Sequence, residues 1–270
     1  LKLHASTQLN IASAKAANAM SRWGVSRTVP ARELSLEEIR AVHANTSCEL
    51  EVFVHGALCV SESGLCLFSS YLGGKSANRG MCTQACRRLY TAHEPEGDRE
   101  GYFFSPADLQ LIEYIPDLIQ AGVASFKIEG RMKSLYYTAL VTRAYRKRID
   151  ALFGKISSAE AAPFVKELYN TAHRAFGTGF YFSKDDANKT TRGESKSPYN
   201  MAGTIGKELG NNRYEFISMN KITADMPLEY IGPDICAIED RNYTLHDPET
   251  GAARDWVCHG HPCIIETSVP

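Results

Sequence analysis

The sequence has no apolar run approaching the roughly 18 residues that a membrane span requires, and no charged stretch followed by an apolar one that would mark a signal peptide. A soluble, cytoplasmic chain without a membrane partner is therefore expected. An excess of charge of one sign is also missing, since 30 basic side chains face 31 acidic ones. That balance argues against a surface that binds nucleic acid all over and still permits a local basic patch. Cysteine is too sparse for a disulfide-stapled secreted scaffold, at eight in 270 residues, so reduced thiols or a metal centre are the expected state. The common hydrolase and nucleotide signatures are absent. There is no G-x-S-x-G elbow, P-loop or dinucleotide fingerprint, and His93-Glu94-Pro95-Glu96-Gly97 fails as H-E-x-x-H because it carries a helix-breaking proline and no second histidine. Neither an internal repeat nor a low-complexity tract is present. The chain opens without an initiator methionine on residues that already alternate like a strand, as expected of a fragment lacking its front half.

What is there can bury one large or two small cores, because 44% of the residues are hydrophobic. Strand and helix patterns alternate. Residues 1–8 read as a strand and 9–20 as a helix stopped at Gly24; 27–32 read as a strand, and Ser35 with Glu38 forms a capping box for a helix to about 44. A third strand covers 49–54. Ser105, Pro106 and Asp108 have the composition of a helix start, a fourth strand follows at 124–128, and a helix at 133–153 shows Tyr137, Val141, Tyr145, Ile149 and Leu152 on one face. Another capping box stands at Ser157 and Glu160. Four strand-helix units predict an α/β fold with a parallel sheet, read as the C-terminal half of a TIM-type (β/α)8 barrel in preference to a doubly wound sheet. A linker is expected over 177–200. Beyond it, turn signals at Gly210-Asn211-Asn212, Gly232-Pro233 and Asp247–Gly251 predict a small all-β barrel, so the domains are drawn at 1–195 and 196–270.

One segment breaks the rhythm. Between His55 and Gly101 lie Cys59, Cys66, Cys82 and Cys86, spaced C-x(6)-C-x(15)-C-x(3)-C and interleaved with glycines. Flexible backbone lets sulfurs converge on a metal and frees N–H groups for cluster sulfides, so an iron-sulfur or similar redox centre heads the readings. Structural zinc, unrelated free cysteines and disulfides stay open beside it, although only Cys82 to Cys86 has the short spacing usual for zinc. The segment follows a strand, which puts it at the carboxyl mouth of a barrel. Other polar residues at strand ends are His4, Gln8, Arg32, Glu33 and His55, together with Lys127, Glu129 and Arg131, the last as a carboxylate or phosphate clamp oriented by Glu129. Residues 124–155 hold eight basic and two acidic side chains, a face that could track a phosphate backbone or simply be solvated. Cys258, His259, His261 and Cys263 look like metal ligands but read better as a metal-free part of the β domain, and Cys48 and Cys236 read as core.

Residues 49–70 (ELEVFVHGALCVSESGLCLFSS), 77–88 (ANRGMCTQACRR) and 125–134 (SFKIEGRMKS) resemble three blocks of the U32 peptidase family, the collagenase-like proteases, and LHASTQLN and ARELSLEEI look like its strand-end motifs. Within the family, the chain most resembles the subgroup of prephenate-dependent tRNA uridine 5-hydroxylation. The resemblance implies a barrel with a C-terminal β-barrel, a 4Fe-4S cluster on four cysteines, tRNA or another RNA as partner, and a small anionic co-substrate such as prephenate. In ubiquinone-pathway relatives the fourth ligand lies in the block equivalent to KIEGR. This chain has Lys127 and Ile128 there and offers Cys86 instead, so the resemblance implies Cys59, Cys66, Cys82 and Cys86 as the set. The competing function is a metal- or cysteine-dependent peptidase.

Overall fold

A computed structural model describes residues 1–187, 190, 195 and 197–269, in two compact units, Leu1–Ser197 and Pro198–Pro270. The first is mixed α/β. In chain order it runs β1 (Leu3–Ala5), α1 (Ala14–Ser21), β2 (Val25–Thr28), α2 (Leu36–Ala44), β3 (Glu49–Ala57), α3 (Phe68–Gly73), β4 (Tyr90–Glu94), β5 (Gly97–Gly101), β6 (Asp108–Gln110), α4 (Ile115–Gln120), β7 (Val123–Ile128), α5 (Leu135–Leu152), α6 (Ser158–Lys166), β8 (Phe176–Gly177) and α7 (Lys184–Ala187). The predicted linker begins inside β8, and residues 188–189, 191–194 and 196 of it lie outside the described residues.

Local chemistry sets several of these boundaries. Both capping boxes form: Ser35 Oγ accepts from the Glu38 N–H at 3.2 Å while Glu38 accepts from the Ser35 N–H at 2.7 Å, and Ser157 and Glu160 repeat the exchange at 3.1 and 2.7 Å. Ser134 caps α5 by accepting from the Tyr137 N–H. Strand β2 ends at Thr28, earlier than the expected 32, just ahead of Pro30, which has no N–H to give a ladder. At the start of the chain, β1 is short because Ser6 and Asn10 cap a 3-10 turn at Thr7–Leu9, and α1 waits for its own cap at Ser13.

The helix expected from Ser105, Pro106 and Asp108 does not start there. Asp108 lies instead in β6, pairing antiparallel with the end of β3 and parallel with β8. Its carboxylate is buried and accepts from the Arg174 backbone N–H and guanidinium, so it is not available to cap a helix. The helical stretch begins at Ile115 with a proline in its first turn.

Strands β1, β2, β3 and β7 are parallel neighbours in chain order, with helices between them. Alternation divides β3. Leu50, Val52 and Val54 enter a core with Ile39 and Val42 of α2, Ile115 and Leu118 of α4, and Val141 and Tyr145 of α5. The opposite face is polar: Arg27 pairs with Glu49 at 2.7 Å and Glu51 at 3.4 Å, and Lys127 reaches Glu51 at 3.1 Å. The sheet stays open among the described residues, with no closed barrel. No described helix is long and apolar enough to cross a membrane.

The second unit is all antiparallel β. It comprises β9 (Gly203–Gly210), β10 (Arg213–Ser218), β11 (Ile222–Thr223), β12 (Leu228–Tyr230), β13 (Ile238–Asp240), β14 (Thr244–His246), β15 (Ala253–Arg254), β16 (Trp256–Val257) and β17 (Pro262–Glu266). A five-stranded sheet in the order β15-β14-β17-β10-β9 stands with two strand pairs, β11 with β16 and β12 with β13, and the described residues do not close into the expected barrel. Asn211 and Asn212, at φ 52° and 60°, make the predicted tight turn between β9 and β10. Cys263 is buried with Phe216, Leu245 and Ile265, and Cys48 is buried in the first unit, whereas Cys236, expected in a core, is only half-buried.

Candidate metal and anion centre

The carboxyl ends of the four parallel strands open onto one cavity of about 350 Å³. Gln8 comes from beyond β1, Arg32 from beyond β2, His55 to Cys59 from the end of β3, and Glu129 and Arg131 from beyond β7. The interrupting segment supplies the rest of the wall, including Cys66, Cys82 and Cys86, so all four cysteines of the set line the same space. Glycine is needed where backbones nearly touch. A Cβ on Gly56, at φ +110°, would stand 2.4 Å from the Glu129 carbonyl oxygen, and one on Gly64, at φ +76°, would stand 2.3 Å from that of Gln8.

All eight cysteines are free thiols. Cys82 is exposed and accepts from the Gln84 backbone N–H at 3.4 Å, while Cys59, Cys66 and Cys86 are half-buried. Burial pushes the Cys86 thiol up; the Arg87 guanidinium opposes this, and negative charge on Cys59, Cys82 and Cys66 adds to it. The Cys86 thiol thus feels the field of the other three. Soft sulfur donors, a backbone N–H aimed at one of them and a void between them suit a thiolate-held metal centre. Among the described residues no three His, Cys, Asp or Glu side chains are gathered tightly enough to hold a single ion.

Not every expected residue reaches the cavity. Lys127 does not line it: its ammonium is taken up by Glu51 at 3.1 Å and lies 5.5 Å from the ring centre of Phe53, which does line it. His4 is exposed and outside the lining, and Glu33 accepts from the Ser63 N–H at 2.8 Å. Arg131 donates from its guanidinium to the Gly80 carbonyl, and Glu129 accepts from the Arg131 backbone N–H at 3.2 Å. The basic face of α5 is largely spent on ion pairs: Arg143 with Glu167, Arg146 with Asp150, and Arg148 with Glu113. Uncompensated basic charge lies elsewhere. Residues 63–93 contain no acidic side chain, and Lys75, Arg79 and Arg88 are exposed there, beside the cavity segment.

His55 is almost wholly buried, at 1% exposure, among Tyr137, Tyr145 and Phe176. Tyr145 gives its hydroxyl hydrogen to the Val54 carbonyl at 2.7 Å, so toward His55 Nδ1, 3.4 Å away, it can only accept. The proton therefore sits on Nδ1, and Nε2 carries a lone pair with no hydrogen-bond partner. Burial lowers the His55 pKa to about 4, with Asp108 opposing and His173 and Lys133 assisting. Because the folded value lies below the ordinary 6.5, this histidine's contribution to stability is fully present above pH 6.5 and lost as pH falls toward 4. Urea unfolding at pH 7 and pH 4.5 is expected to show up to about 3 kcal/mol less stability at the lower pH from this group. His55→Phe should flatten that difference, and an unchanged slope would contradict the assignment.

The sequence reading missed Arg87, Asn78 and Glu62 of the lining, and the half-buried Lys133, which stands 4.9 Å from the Tyr137 ring centre. Adjacency to Cys86 was the available signal for Arg87. For Asn78, whose amide donates to the Gly64 carbonyl at 2.7 Å, sequence gave none.

The comparisons fit this arrangement. The tRNA hydroxylation protein P1 of Bacillus subtilis is 33% identical over 248 residues, covering 87% of this chain and 59% of the relative. The 23S rRNA 5-hydroxycytidine C2501 synthase of Escherichia coli is 39% identical over 217 residues, 77% of this chain and 33% of its own length. A collagenase of Porphyromonas gingivalis is 36% identical over 201 residues, 68% and 48% respectively. The chain spans about half the length of the curated relatives it matches. No solved structure matches it. The model of peptidase family U32 matches residues 1–191, which takes in every strand end around the cavity and all four of its cysteines, and the chain therefore belongs to that family.

Proposed function

We propose that the chain is the thiol-bearing part of an RNA-modifying U32 protein, acting in oxygen-independent hydroxylation of a pyrimidine, with tRNA uridine as the favoured target. The observation that carries this reading is the convergence of four thiols with Arg131, Glu129 and Arg32 on one cavity, in a chain similar to proteins named for tRNA and rRNA hydroxylation. Cys59, Cys66, Cys82 and Cys86 would hold a 4Fe-4S cluster, with zinc as the alternative occupant. Such a cluster supplies electron transfer or a Lewis-acidic iron when bound. The chain's own residues do the rest. Arg131 and Arg32 bind a small carboxylate co-substrate such as prephenate, Arg131 using the guanidinium donors that the Gly80 carbonyl leaves unused. Glu129 holds the Arg131 backbone in place, and neutral His55 offers an acceptor under the cavity wall. Exposed Lys75, Arg79 and Arg88 meet RNA phosphates. The sequential order of four parallel strands further supports a half of a (β/α)8 barrel, singly wound. A cysteine-dependent peptidase needs its thiol beside a base, and among the described residues no thiol of the cavity is hydrogen-bonded to a histidine.

The test is modification of cellular RNA, read by mass spectrometry of nucleosides, in cells whose only copy carries Arg131→Ala. Iron per chain is expected to match wild type while the modified nucleoside falls at least tenfold, the order lost with one bidentate anion contact. Full modification in that strain would remove Arg131 from the site. Gelatin cleavage by the purified wild type, together with a nucleoside modification profile in a deletion strain identical to that of wild type, would favour the peptidase instead.

A further inference from the structure

We propose that Arg87 is the positioning residue of the thiol centre, a single guanidinium that draws Cys59 and Cys86 together and supplies the positive charge against which the thiolates are held. The proposal rests on reading the four cysteines as one ligand set. Arg87 directly follows Cys86 in a 3-10 turn, Ala85–Arg87. Its guanidinium donates to the carbonyl of Leu58, the residue before Cys59, and also to Ser105 Oγ at 3.1 Å and the Pro106 carbonyl at 2.7 Å. Three segments distant in sequence, the end of β3, the turn holding the last cysteine and the entry to β6, therefore meet on one planar fork.

Two consequences follow from the chemistry. The first is geometric. Cys59 and Cys86 bracket the whole cysteine segment, and without a clamp the metal itself would have to close that loop against its entropy. Arginine's fixed fork can serve three acceptors at once, which a lysine ammonium on a flexible stem does not reproduce. The second is electrostatic. All three acceptors are neutral, and Arg87 has no ion pair among the described residues. Asp108, the carboxylate whose field reaches it, is already engaged by Arg174 at 2.7 Å. A partly buried cation with only neutral acceptors favours an anion beside it, and the neighbouring cavity wall offers Cys59 and Cys86. Arg88 lacks these features, being exposed and with no side-chain hydrogen bond or ion pair among the described residues, and so serves as a control for iron binding.

The experiment uses the full chain purified without oxygen and reconstituted with iron and sulfide. Iron per chain, the rate of iron loss to a chelator and the reduction midpoint are measured for wild type, Arg87→Gln, Arg87→Lys and Arg88→Gln. Arg87→Gln is expected to lose iron roughly 10- to 100-fold faster, the usual effect of removing a group that supports metal ligands, and to shift the midpoint to more negative potential. Arg87→Lys should recover the midpoint in part while still losing iron quickly, and Arg88→Gln should match wild type in iron content, iron loss and midpoint. In the metal-free chain, a short bis-maleimide, which adds across both thiols without an oxidant, should crosslink Cys59 to Cys86 less readily in both Arg87 variants. Iron retention and midpoint unchanged in Arg87→Gln would overturn the proposal. If wild type itself takes up no iron, the ligand-set reading fails, and the crosslinking still decides the clamp: equal yields in wild type and Arg87→Gln overturn it.

Discussion

Under the proposed function, replacing Cys82 with alanine is expected to take the protein from about four irons per chain to less than about one, and to abolish RNA modification, without unfolding it. The choice of cysteine matters. Cys82 is exposed, and the hydrogen bond its sulfur accepts from the Gln84 N–H is to a group that water can satisfy. Its loss should change stability by no more than about 0.5 kcal/mol, as for surface substitutions generally. Cys86 is half-buried beside Arg87, so its replacement would mix a packing defect with the loss of a ligand. Metal analysis of wild type and Cys82→Ala, with urea unfolding of the metal-free proteins, separates the two effects. One zinc per chain in wild type would replace the cluster with the alternative occupant. Full iron and full modification in Cys82→Ala would remove Cys82 from the set.

How far the sequence could be read depended on how far apart the interacting groups lie along it. Both capping boxes are complete within four residues, and both form. The expected helix at Ser105 to Asp108 failed because Asp108 is committed to Arg174, 66 positions away, and nothing local distinguishes a capping aspartate from a buried salt-bridged one. Lys127 was assigned to the mouth from its position near a strand end, yet its ammonium is taken up by Glu51, 76 positions away in sequence. The gathering of strand ends was legible, since parallel strands in a right-handed sheet present their carboxyl ends on one face. Gln8, Arg32, His55, Glu129 and Arg131 do meet there with the cysteines. Adjacency to Cys86 was the available signal for Arg87, but its contacts were not legible, because its acceptors are mostly backbone carbonyls, which carry no sequence signature. The basic count in 124–155 left two readings open for a related reason: Glu167 and Glu113, which neutralise Arg143 and Arg148, lie outside that window.

Asp108→Ala is expected to cost about 3–5 kcal/mol, the range for removing one partner of a buried ion pair. Asp108 is 3% and Arg174 10% exposed at the side chain, and the carboxylate takes both the guanidinium at 2.7 Å and the Arg174 N–H at 3.0 Å. These bonds join β6 to the start of β8, whose pairing is otherwise only two residues long. The substitution leaves the Arg174 guanidinium buried without its anion. It also leaves Arg174 and Arg87, whose charges oppose each other, with no carboxylate to moderate them. The double variant Asp108→Leu with Arg174→Met should recover most of the loss, since replacing both charges by apolar groups avoids the uncompensated ion. Urea unfolding of the three proteins at pH 7 measures this, and a single-variant cost below about 1 kcal/mol would show the pair to be solvated. The effect should carry to the cavity wall. Arg87 donates to Ser105 and Pro106 just ahead of β6, so a frayed β6 loosens two of the three acceptors holding the Cys86 turn. Iron loss to a chelator should therefore be faster in Asp108→Ala than in wild type at a pH and denaturant concentration where both are still folded.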